Sequence, residues 1–331
     1  MSRSSRIALV AAGGLLALAG PLLLPNYVTQ LAFLWVMIVF ALTWDLVGGQ
    51  MGYNSFGNIV FFGIGCYAAA VVQRDLAPGY FAGLAIGAGI GVVVAALAAV
   101  LLGSAILRLR GHYFAICTLG LGIAAGEIAS GWPYIGAGSG MVPPVFPGDS
   151  SQRGVFFYYV FAVLALVCFL VLRWLYTTRF GLAINAIRDD EDKAEAMGLP
   201  TTSYKIAAWT IAAIFLAIAG AGVGHLIGFI DPRQVAFAGE TYGVWMVLMA
   251  ILGGSGTLWG PVIGAVVFHV TQELFWTYLL GWQRVALGVL IVLIVVFFPQ
   301  GILGWLRERW PKRFKPELAR TPPLTVSGGG S

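Results

Sequence analysis

Along the 331 residues, long apolar runs alternate with short polar or glycine-rich interruptions, and the runs fall at residues 7–24, 28–48, 56–73, 80–107, 113–130, 155–172, 206–230, 241–252, 260–279 and 284–299. A helix needs about 20 apolar residues to cross a bilayer. Backbone N–H and C=O groups surrounded by lipid must bond within their own segment, so helices are the predicted element throughout. The run at 241–252 is short and that at 56–73 only just long enough, and both adjoin glycine-rich stretches, 47–57 and 253–256. Helices interrupted inside the membrane are expected there. The fold class that follows is all-α, a polytopic membrane protein of about ten spans, some of them broken.

Composition agrees with this pattern. The chain is 59% hydrophobic and only 10% charged, whereas a soluble domain carries about one-quarter charged residues to keep its surface in water. No polar block is large enough for a second folded unit. One membrane unit is therefore expected over residues 1–306, with a cytoplasmic segment at 177–205 and a basic cytoplasmic tail at 307–331. The tail reads as an interfacial helix followed by disorder, and Ser327 to Ser331 as a Gly/Ser linker. The first run, preceded by Arg3 and Arg6, reads as a retained helix because further spans follow at once. Cys66, Cys117 and Cys168 lie in apolar segments without CxxC spacing, which suits small buried hydrophobes.

The net charge of +5 is a topological signal. With the N-terminus inside, fifteen of the nineteen Lys and Arg residues fall on the cytoplasmic side, and only Arg74, Arg153, Arg233 and Arg284 fall outside. Adding or losing a span would undo this segregation, so the expected orientation is N-in and C-in. A nucleic-acid partner is not needed to account for the basic excess.

The cytoplasmic segment is longer than a simple connector requires. Asp189, Asp190, Glu191 and Asp192 suit the start of a helix, where negative charge complements the dipole. Lys193, Ala194, Glu195, Ala196 and Met197 continue it, and Gly198 with Pro200 beyond supplies a stop. The pattern from Arg188 to Gly198 predicts a short helix with Ala194 and Met197 on one side and charges on the other. Such a helix can dock into a groove on a soluble partner; otherwise the segment is a solvated turn.

Glycine-rich breaks in two halves point to a transport path, although glycine also serves close helix packing. The candidate path residues are Asn54, Ser55, Gly57, Asn58, Phe61, Phe62, Gly63 and Gly65 in the first half, with Gly253, Gly254 and Gly256 in the second. On a helix Asn54 and Asn58 would share a face, either to bond a passing solute or to satisfy backbone groups left open by the break. Asp45, Glu127 and Glu273 are carboxylates within or near spans. Glu273 lies four residues after His269, a spacing for mutual satisfaction or a proton relay, and the pair has no third ligand for a metal. No nucleophile–base arrangement is visible, so no catalytic residue is expected.

Several blocks carry a family resemblance. They are Ser55 to Tyr67 (SFGNIVFFGIGCY), Arg110 to Leu119 (RGHYFAICTL), Arg179-Phe180-Gly181, Ala186 to Glu191 with Glu195-Ala196-Met197-Gly198, Leu252 to Pro261 (LGGSGTLWGP), and Phe297 to Gly301 (FFPQG). In this order the chain resembles the LivM branch of the branched-chain amino acid ABC permeases. The family often has His at Asn58 and Ala at Cys66, which leaves the solute open between branched-chain amino acids and a related small polar or amphipathic one. The resemblance implies a bacterial inner-membrane permease subunit in a heterodimer with a homologous permease, two cytoplasmic ATPases and an extracytoplasmic solute-binding protein. It also implies that Arg188 to Gly198 is the coupling helix gripped by the ATPases. No GxxxxGK[ST] occurs, so ATP is expected to be used by the partner subunits, with no cofactor in this chain. The rival expectation is a stand-alone ion-coupled carrier or channel using Glu127, His269 and Glu273.

Overall fold

The computed structural model describes residues 14, 19–76, 79–279, 281–282, 285–289, 292 and 301–309. The α-helices with complete bounds are α1 (Val28–Asp45), α2 (Asn58–Leu76), α3 (Tyr80–Ile106), α4 (Gly111–Gly131), α5 (Ser150–Tyr176), α6 (Arg179–Asp189), α7 (Glu191–Ala196), α8 (Thr201–Ile227), α9 (Val244–Gly253), α10 (Gly260–Tyr278) and α11 (Gly301–Arg309). A π-helical turn at Leu46–Gln50 prolongs α1, and two more at Pro232–Ala236 and Gly239–Gly243 lead into α9. The extended pairing among the described residues is a single bridge between Met141 and Ile230.

Among the described residues, seven helices are long and apolar enough to cross a membrane: Pro25–Gln50, Asn58–Leu76, Tyr80–Ile106, Gly111–Gly131, Ser150–Tyr176, Thr201–Ile227 and Pro232–Gly253. The short run predicted at 241–252 thus reaches spanning length by recruiting the π turns before it. The run at 260–279 forms α10, which carries His269, Gln272 and Glu273 and is not among the seven. The runs at 7–24 and 284–299 fall largely outside the described residues, as does the tail beyond Arg309.

Local signals set the helix ends. At α5 Asp149 and Gln152 form a reciprocal capping box. At α6 the Thr178 hydroxyl accepts the N–H of Phe180. The interior is built on α2, α3 and α8, which pack against one another, while α1 lies on α5 and α10, and α9 on α10. Glycines permit the closest approaches. A Cβ on Gly65 of α2 would overlap the Ala217 carbonyl of α8, and one on Gly220 would overlap the Phe62 carbonyl. At the same crossing the Cys66 thiol donates to the Gly220 carbonyl at 3.1 Å. Helix α3 meets its neighbours through a central stripe, Gly83, Gly87, Gly91, Ala95, Ala99 and Gly103, with Leu84, Val92, Leu102 and Ile106 packed beside it, and turns most of its other large side chains outward.

Contacts define the two ends of this bundle. At one end the loop at 132–149 lies by the segment after α8, through the Met141–Ile230 bridge and an Arg233–Glu127 ion pair of 2.7 Å. There, too, Arg74 donates to the Tyr134 carbonyl at 2.6 Å. At the other end the break after α1, the α3–α4 turn, α6, α7 and the loop after α9 meet.

Candidate functional site

The polar segment expected to form one helix forms two. Asp190 adopts an extended conformation (φ −164°) between α6 and α7 and caps α7, its Oδ1 accepting the Lys193 N–H at 3.0 Å. An aspartate whose side chain substitutes for a missing backbone partner favours such a boundary over a helix interior. Bonding to the Lys193 side chain and N–H holds the Asp190 carboxyl below the usual carboxylate range. Gly198 ends the unit as expected, with φ +87°, the left-handed conformation that glycine adopts without a Cβ clash.

Ala194 is buried while Met197 is 89% exposed, so the two do not share a side. The helix stops at Ala196, and Met197 already belongs to the turn. Glu191 also departs from the expected charged outer face by turning inward. Its Oε1 lies 2.7 Å from the Lys205 ammonium, and its other oxygen accepts the Tyr53 hydroxyl. The outward face of α7 and its turn therefore consists of Asp192, Lys193, Glu195, Ala196 and Met197. Burial, with the Glu191 carboxylate beside it, pushes the Tyr53 phenol well above its ordinary range, so its O–H remains a donor.

The two glycine-rich breaks come to one place. Gly256 donates its N–H to Asp45 Oδ1 at 2.7 Å across the gap between them. Gly49 sits where a Cβ would strike both that carboxylate and the Gly256 N–H. Gly253 is packed under the Gly260 carbonyl, and Gly254 is approached by Gly301 of α11. Arg188 lies over this junction: its Cγ is 3.1 Å from where a Cβ of Gly52 would stand, and its guanidinium is 3.6 Å from the same point on Gly256. Arg188 also pairs with Asp189 at 3.1 Å. The breaks and the start of the polar segment at 188–198 thus form one assembly, a proximity that neither sequence block contains.

Apart from Asn54, the other candidate path residues are packed within the chain. Asn54 is exposed in the irregular stretch before α2, and Asn58 is fully buried at its first position, so the two share no helix face. Asn58 Oδ1 accepts from the Ser55 hydroxyl and from Trp209 Nε1, each at 2.9 Å. Its Nδ2 has no partner among the described residues. Phe61 meets Trp209 edge-on at 5.1 Å, Phe62 packs on Phe40 and Tyr242, and Gly63 lies under the Phe237 ring. Gly57 faces Thr118 of α4, whose hydroxyl accepts the Phe56 N–H at 3.1 Å. His269 bonds the Gln30 carbonyl at 2.9 Å rather than Glu273.

Tyr53, Lys205 and Arg110 are the site residues that sequence reasoning missed. A usable signal existed for Lys205: a lysine followed at once by a long apolar helix must pair or snorkel.

Comparison with known proteins places the chain. The family described as branched-chain amino acid transport system, permease component, matches residues 26–297. The high-affinity branched-chain amino acid transport system permease protein LivM of Escherichia coli strain K12 is 29% identical over 322 residues, covering 89% of this chain and 74% of that protein. LivM of Salmonella typhimurium is 30% identical over 301 residues, covering 83% and 69%. The permease protein LivH of Salmonella typhimurium is 31% identical over 144 residues, covering 43% and 44%. No solved structure matches. With the family match spanning most of a chain whose helices form a multi-pass membrane bundle, this protein belongs to the branched-chain amino acid transport permease family.

Proposed function

We propose that this permease subunit supplies half of the translocation pathway of an ATP-driven, binding-protein-dependent importer for branched-chain amino acids or a related small polar or amphipathic solute. The observation that carries the reading is α7. It is fastened from within by Glu191, yet offers Glu195, Ala196 and Met197 outward on a short, capped unit. An exposed methionine is an adaptable apolar side chain suited to filling a partner's groove. In this reading the segment Arg188 to Gly198 docks on the ATPases, and ATP is bound and hydrolysed there, with no cofactor in the permease. A homologous permease completes the pathway and an extracytoplasmic binding protein delivers solute. The similarity to both LivM and LivH supports a pair of unlike permeases.

The same reading sets ten spans in the bacterial inner membrane with both termini cytoplasmic. It adds α10 and the runs at 7–24 and 284–299 to the seven apolar helices, and makes 1–306 the membrane unit and 307–331 its tail. The charge segregation supports it. In a background lacking the native cysteines, Asp190→Cys should react with an impermeant thiol reagent only from inside, and Val145→Cys only from outside. Reaction of both from one side overturns the topology.

Docking has its own test. Glu195→Lys and Met197→Arg touch no described partner inside the chain, so each should leave the bundle's thermal stability within about 0.5 kcal/mol, as for ordinary surface substitutions. Each should also reduce ATPase co-purification. Full co-purification with both variants would refute docking through α7. The ion-coupled carrier would instead transport without ATPases.

A further inference from the structure

The break after α1, the residue after α3 and the start of α7 meet at the ammonium of Lys205, 2% exposed near the start of α8. Its three N–H groups are directed to Glu191 Oε1 at 2.7 Å, to the Leu107 carbonyl after α3 at 2.7 Å, and to the Tyr53 hydroxyl at 3.0 Å. Tyr53 donates in turn to Glu191 and meets Phe114 of α4 edge-on at 5.2 Å. On the solvent side Arg110 closes the cluster, with Nε 3.4 Å from the Glu191 carboxylate and Nη1 2.7 Å from Asp192.

A helix of six residues cannot hold its place by its own backbone bonds. Its side chains decide what it moves with. Lys205 and Glu191 balance each other's charge without help, so Tyr53 is not needed for neutrality. What Tyr53 adds is a tie from that pair to the break between α1 and α2. From Tyr53 the break continues through Ser55, which bonds Asn58 at the head of α2, while Gly52 on its other side lies against Arg188. Opening a buried bond of this kind where water does not enter leaves each partner unsatisfied, which costs more than the bond itself contributes. A displacement of α7 is therefore shared with the break rather than absorbed between them.

We propose that Tyr53, held by Glu191 and Lys205, is a positioning residue that passes movement of α7 to the break between α1 and α2. It makes partner docking and rearrangement of the membrane helices one coupled event. This rests on α7 being the ATPase-docking element.

The test uses the assembled complex of permeases, ATPases and binding protein in lipid, with a nitroxide at Asn54→Cys in the exposed part of the break and native cysteines removed. The readout is the change in label accessibility when a non-hydrolysable ATP analogue is added. With Tyr53 present the analogue should change it. Tyr53→Phe keeps the ring on Phe114 and removes the hydroxyl, and should shrink that change at least about fivefold, the lower end of ordinary coupling between sites, while the ATPases stay bound. Glu191→Gln tests the same tie from the α7 side and should act in the same direction. An unchanged response in both variants overturns the proposal, as does a label at Asn54 that ignores the analogue with Tyr53 intact. Failure of the docking reading shows separately, as ATPases that remain bound to Glu195→Lys and Met197→Arg.

Discussion

Valine at Gly65 or Gly220 is expected to prevent the bundle from forming. At both positions the first added carbon meets a carbonyl on the neighbouring helix, Ala217 for Gly65 and Phe62 for Gly220. A flexible side chain could swing aside; a helical carbonyl can yield only if α2 and α8 separate. Ordinary overpacking costs about 1–3 kcal/mol, and here the displaced contact is repeated along the helix pair that anchors α3 as well. Separation would also break the Cys66–Gly220 bond. Fluorescence-detected size exclusion should show little monodisperse protein for either variant. Gly89→Val is the control, because nothing lies within 4 Å of its added carbon, and it should behave as the parent. Monodisperse Gly65→Val with a parental melting temperature would refute this packing.

Lys205→Met should be the most damaging single change at the polar end of the bundle. It leaves the Glu191 carboxylate, only 11% exposed, without its closer and buried cation, with Arg110 alone at 3.4 Å, and the Leu107 carbonyl without its donor. Breaking a buried ion pair from one side costs about 3–5 kcal/mol, most of it the penalty of the charge left behind. Adding Glu191→Gln removes that charge, so the double variant should be more stable than Lys205→Met alone. Thermal unfolding in detergent measures both. A double variant less stable than the single one would mean that the pair is not the source of the loss. The same comparison separates this cost in stability from the coupling proposed for Tyr53, whose loss leaves the pair itself in place.

Much of the bundle is legible in the sequence because lipid imposes a simple rule. The apolar runs at 80–107 and 113–130 lie within two residues of α3 and α4 at each end, since hydropathy and backbone satisfaction demand the same boundaries. Where the rule relaxes, so does the reading. The run at 241–252 looked too short because the π turns before it carry Arg233 and Glu240, residues that hydropathy discounts. The acidic cluster at 189–192 was legible as a helix start. That Asp190 would divide two helices while Glu191 turned inward was not, because the deciding partners, Tyr53 and Lys205, lie 138 and 14 residues away. For Asn58, polarity beside glycine fits a solute path and a buried acceptor for Trp209 equally well. Only the folded chain distinguishes a polar group facing a lumen from one facing an indole.

The stripe on α3 has a consequence for how this helix stores sequence information. Six of its 27 positions, each a glycine or alanine four residues from the next, are its fully buried ones, flanked by Leu84, Val92, Leu102 and Ile106, which pack partly against the core. The large outward side chains, Val93, Leu97, Val100 and Leu101 among them, lie exposed on the outside of this chain. In lipid, exchanging one such aliphatic residue for another alters little. The helix can therefore drift widely in identity while its docking surface stays constant. Two chains sharing that stripe and its apolar flanks could seat the same helix in the same groove, and mismatches confined to the outward positions would carry little structural meaning.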